Sequence, residues 1–103
     1  MKRLSRKDNV YRITIEEVGT DTQDSPQRLE FEVQDREDMF KVVEKLQQGS
    51  GLEADTATRV GVALRLLGPV MMVNRKHDLF ADFMPHFKTF MQNLKSTVKR
   101  ATA

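Results

Sequence analysis

Cysteine is absent from the chain, which excludes disulfides, thiolate metal ligands and thiol nucleophiles together and fits a reducing compartment. There is also no run of about 18 apolar residues, and no apolar stretch of about 7–15 residues follows the charged opening MKRLSRKDN. Neither a membrane span nor an export signal is therefore expected, and the corresponding location is cytoplasmic. Enzyme signatures are missing as well: the sequence holds no G-x-S-x-G, no Gly-rich phosphate loop and no H-E-x-x-H. Its two histidines, His77 and His86, have no Ser and Asp partners in a recognisable arrangement. These absences lead to an expectation of a non-enzymatic protein that carries no cofactor.

What is present suits a small globular fold. The 103 residues, 39% hydrophobic and 31% charged, are enough for one domain with a modest core and contain no low-complexity tract. The net charge of +2 hides a split, with +3 on residues 1–9, −7 on residues 10–55 and +6 on residues 56–103. Such a layout can attract an anionic partner or draw two copies of the chain together, acidic half to basic half; charge on solvated faces accounts for it equally.

Residues 10–18, VYRITIEEV, alternate with Tyr11, Ile13 and Ile15 on one face, and residues 28–34, RLEFEVQ, repeat the pattern with Leu29, Phe31 and Val33. This is the period of two that marks a half-buried strand. The turn-rich GTDTQDSPQ between them predicts an antiparallel hairpin. Asp35 is a candidate cap for a following helix with Met39, Phe40, Val43 and Leu46 as its stripe. That helix is expected to end at QQGSG, where Gly49 and Gly51 suit a left-handed terminus.

The segment LEADTATRVGVALRLLGPVMMVN has two apolar stripes, one of Val60, Ala63, Leu64, Leu67 and Met71, the other of Val62, Leu66, Val70 and Val73. A helix apolar around most of its circumference must be covered on several sides, so it is either central to the domain or shared with another subunit. Pro69 predicts a kink or a restart, and the preserved phase favours a nearly continuous path. Beyond it, Phe80, Phe83, Met84, Phe87, Phe90, Met91, Leu94 and Val98 keep helical spacing, predicting a short turn and then a long helix from Pro85. The predicted fold is α+β, an antiparallel β-hairpin followed by three or more helices packed on one face. Residues 1–9 are expected to form a basic extension, 10–99 a single domain and 100–103 a tail.

The stretches VYRITIEEV, LEFEVQDREDMFKVVEKL and NRKHDLFADFMPHFKTFMQNLK together resemble a family of small bacterial proteins catalogued as a domain of unknown function, over roughly residues 10–95. The resemblance implies a hairpin ahead of helices and carries no activity or ligand. The basic start and the GSG joint lie apart from it.

The most polar corner is NRKHD, residues 74–78. Arg75, Lys76 and His77 form a candidate anion-binding set at the start of the last helices. The structural reading accounts for the same residues: Asn74 as a left-handed terminator, Arg75 and Lys76 at the negative helix end, Asp78 as the next cap. Asp78, Asp82 and His86 are spaced four apart, yet Pro85 breaks their register and one His with no Cys is poor in metal ligands, so no metal site is assigned. Lys88, Lys95, Lys99 and Arg100 fall along one side of the last helix without interleaved aromatics, which makes nucleic acid an improbable partner. Met71, Met72, Met84 and Met91 either fill the core or line an adaptable groove. A two-stranded hairpin has bare edges, and together with the doubly apolar helix this makes self-association the leading expectation. The candidate interface is Leu66, Val70 and Val73, or else paired hairpin edges. The expected role is a self-associating protein-interaction or regulatory domain; the alternative is anion or nucleic-acid binding through the basic corner and the C-terminal helix.

Overall fold

The first strand, β1 (Asn9–Glu16), pairs antiparallel with β2 (Arg28–Asp35). The computed structural model describes residues 8–19 and 26–102, so the predicted N-terminal extension, save its last two residues, and most of the hairpin loop lie outside the described residues. The chain divides into two compact units, residues 1–37 and residues 38–103. The order of elements, a hairpin and then four helices, is the α+β arrangement that the sequence pattern predicts.

In the hairpin unit the register sets Tyr11 opposite Val33, Ile13 opposite Phe31 and Ile15 opposite Leu29, so one face carries three apolar cross-strand pairs. The other face pairs Arg12 with Glu32, whose side chains lie 3.3 Å apart, and Thr14 Oγ1 donates to Glu30 at 3.1 Å. Tyr11, Ile13 and Val33 are half-buried, whereas Ile15, Leu29 and Phe31 near the turn are exposed. Asp35 is buried and accepts a hydrogen bond from the Glu37 backbone N–H at 3.0 Å. It closes a local turn instead of capping the helix, as its position suggested.

The cap of helix α1 (Met39–Gly49) is Asp38, whose carboxylate accepts from the Phe40 and Lys41 N–H groups at 3.0 and 3.2 Å. Met39 and Leu46 are buried and Val43 is half-buried. Phe40, placed in the same stripe by its spacing, is 75% exposed. Adjacent helical residues diverge by about 100° and only Met39 shares the phase of Val43 and Leu46. The positive φ after the helix belongs to Gly51, at 83°. Gly49 stays helical and buried, and a Cβ built on it would stand 3.1 Å from Val98 of the last helix.

Helix α2 (Ala54–Val73) runs unbroken through Pro69. Its buried face consists of Ala57, Gly61, Gly68 and Met71. Gly61 on that face lets α1 approach closely: a Cβ on it would lie 3.1 Å from Val43 Cγ2 and 3.3 Å from Leu46 Cδ1. Gln47 Nε2 also donates to Thr58 Oγ1 at 2.8 Å across this seam. The helix is long and apolar enough, by length and composition, to cross a membrane, a test that core helices of soluble proteins also pass.

A four-residue helix, α3 (Asp78–Ala81), leads into α4 (Met84–Thr102), with Pro85 in the first turn where its missing N–H is harmless. This matches the expected short turn and long helix, except that residues 100–102 continue α4 where a tail was expected. The Phe stripe differs from expectation. Phe80 and Phe87 are half-buried, Phe83 and Phe90 are 48% and 45% exposed, and α4 has no buried residue. Helix α1 packs on both α2 and α4, so α4 is held along the Gly49 seam while much of its apolar stripe stays uncovered.

Candidate functional site

Two places in the helical unit collect chemistry: the NRKHD corner and a groove between α2 and α4. At the corner, α2 ends on Asn74, whose backbone N–H and Nδ2 both donate to the Val70 carbonyl, at 3.1 and 2.8 Å. Its φ is −106°, so the helix stops by side-chain capping and not through the left-handed turn expected of this asparagine. Arg75 Nη1 donates to the Met72 carbonyl at 3.1 Å, where a guanidinium complements the negative end of α2.

His77 caps α3. Its Nδ1 accepts from the Leu79 N–H at 3.0 Å, and its carbonyl accepts from Phe80 and Ala81 at 2.9 Å. Asp78, expected to be that cap, is instead the first residue of α3. Of the candidate anion set, then, Arg75 and His77 each spend a polar group on closing the corner, and Lys76 is an exposed neighbour in the turn between them. Asp78, Asp82 and His86 do not form a metal-ligand group, and no cluster of three such side chains occurs among the described residues.

The interface candidates lie on the face of α2 turned away from its buried side: Leu66 is half-buried, Val70 exposed and Val73 82% exposed. Leu67 is exposed too, as is Leu79 of α3 at 73%, while Met72 is exposed on the side of α2 that faces α4. Four of the last seven residues of α2 therefore present large apolar side chains to solvent.

Between α2 and α4 lies a groove of about 990 Å³. Leu64, Gly68 and Met72 line its α2 wall, and Met84, Phe87 and Met91 its α4 wall. The two walls meet near Gly68, where an added Cβ would sit 3.7 Å from the Phe87 ring. Arg65, Lys88 and Lys95 also line it, and no carboxylate among the described residues does. Of the four methionines singled out by sequence, Met71 is core and the other three face this groove. Spacing alone could not divide them, because Met71 and Met72 are neighbours in the chain and what stands opposite each decides which one is covered.

Residues 9–96 match the model of a family described as "Domain of Unknown Function with solved-structure structure (DUF3861)". The chain is also similar to a protein of unknown function from Pectobacterium atrosepticum known from a crystal structure, at 38% identity over 85% of this chain and 97% of that one, with a TM-score of 0.74. No curated protein matches.

Proposed function

The chain belongs to this family of unknown function, and from that premise we propose that it is a non-enzymatic interaction module that works as a homodimer. The observation that carries the reading is the open apolar surface at the end of α2, where Leu67, Val70 and Val73 are exposed within two turns. Uncovered aliphatic groups cost about 25 cal/mol for each Å² kept in water, and clustered ones mark contact surfaces. A second copy meeting this face would bury Val70 and Val73 and complete the cover of Leu66.

A bilayer is a poorer occupant for the same surface. Arg59 and Arg65 lie within α2, and an arginine near the centre of a spanning helix costs about 2.5–3.5 kcal/mol. The basic corner favours no second reading, since Arg75 and His77 already serve the helix ends.

Sedimentation equilibrium at tens of micromolar tests the proposal. The expected result is a species of twice the 11.9 kDa chain mass, converted to monomer by Val73→Asp with its helical circular dichroism retained. A wild-type chain that sediments only as a monomer rejects it.

A further inference from the structure

A second surface, on a different side of α2 from the stripe at Val70 and Val73, is the groove between α2 and α4. We infer that it docks an acidic amphipathic helix supplied by another protein. Its floor is apolar and built largely from Met72, Met84, Met91 and Phe87, and thioether side chains repack to fit partners of differing shape. Its rim is cationic and, among the described residues, contains no carboxylate. Among the described residues Lys88 and Lys95 have no acidic partner.

The spacing of these lysines selects the occupant. Seven residues apart on one helix, they stand on the same side at a separation of about 10.5 Å along α4. A single carboxylate, such as the head of a fatty acid, reaches one of them. An occupant with acidic groups two turns apart reaches both. The walls make the same choice in another way. They are helices whose backbone groups are bonded internally, so an extended peptide would find no edge to pair with in the groove, whereas a helix brings its own backbone bonds and adds a third rod beside two. Nucleic acid gains little here, because a methionine floor offers phosphodiesters nothing and the cations sit beside it without exposed aromatics between them.

The inference extends the interaction-module reading without using the dimer face, so each can fail alone. The probe is a fluorescein-labelled synthetic helix of about 18 residues, with leucines at helical spacing and glutamates seven apart on its flanks. A twin carries lysine for every glutamate. Anisotropy titrations use the full chain, its Val73→Asp variant and a Lys88→Glu/Lys95→Glu variant, with methyl NMR of the methionines as a second readout.

The acidic peptide is expected to bind the full chain and the Val73→Asp variant alike, shifting the methyls of Met72, Met84 and Met91, with weaker binding as salt rises. Reversing both lysines should weaken it about tenfold and let the lysine twin bind in its place. Three results overturn the inference: equal affinity for both peptides, methyl shifts confined to Met71 or absent, and displacement of the peptide by equimolar laurate. If the lysine reversal dissociates the wild-type dimer and the acidic peptide fails to bind, the groove belongs to a second copy and the inference falls while self-association stands.

Discussion

Gly49 of α1 and Val98 of α4 meet so closely that a methyl group added to the glycine would lie 3.1 Å from both Cα and Cγ1 of the valine. The corresponding methyl on Gly61 would meet the side-chain ends of Val43 and Leu46 at 3.1 and 3.3 Å, with the Val43 Cα at 3.3 Å, farther off than the Val98 Cα is from Gly49. In a helix interior Ala is favoured over Gly by about 1 kcal/mol, and overpacking costs about 1–3 kcal/mol. Backbone cannot rotate aside as a side chain can. Gly49→Ala is therefore expected to lower the urea midpoint by the equivalent of about 1 kcal/mol, and Gly61→Ala to leave it within about 0.5 kcal/mol. A raised midpoint for Gly49→Ala would contradict the close α1–α4 approach.

Met39 and Phe40 are neighbours in sequence with opposite surroundings, one buried and one mostly in water. Met39→Ala should cost about 2–5 kcal/mol through lost burial and the cavity left behind. Phe40→Ala should change stability by no more than about 0.5 kcal/mol. Chemical denaturation of the two variants side by side checks the assignment, and it fails if the order is reversed.

Asp38→Ala removes the acceptor of the Phe40 and Lys41 N–H groups and is expected to cost about 1 kcal/mol. Asp38→Asn keeps an acceptor oxygen and should recover most of that loss. A thermal melt in which Asp38→Ala matches the wild type would show that the cap contributes nothing.

The Val73→Asp and Lys88→Glu/Lys95→Glu variants carry the remaining predictions, on association and on peptide binding. None of the three residues is buried, so both proteins should melt close to wild type. A large loss of helix in either would mean that the substitution disturbs the fold and not a contact surface.

How much of this could be read from the residues depends on which neighbour settles each point. Alternation at Tyr11, Ile13 and Ile15 located β1 to within two residues, because a strand's period is a property of its own backbone. Helical spacing likewise found α2 and α4. Caps were harder: Asp35 and Asp38 are the same residue type three positions apart, and their roles differ only through which N–H each carboxylate reaches. Cover was hardest. Phe83 and Phe90 share a stripe with Phe87, yet spacing states only that they lie together and says nothing of what stands opposite. Gly49 and Gly61 were invisible as packing residues for a related reason, since apolar stripes are drawn from side chains and these positions act by having none. The groove at Met72, Met84 and Met91 needs both α2 and α4 in place before it exists.

The two seams of α1 close chain segments of very different length. Val43 and Gly61 are brought together over a short stretch, while Gly49 and Val98 join across nearly half the protein, a difference of about 1 kcal/mol in loop-closure entropy. Since α4 contributes no buried residue to offset it, its amide protons should exchange ahead of those in α1 and α2. The helix bearing Lys88 and Lys95 is thus the one most easily swung outward, which gives the cleft a jaw whose opening adjusts to the girth of what enters.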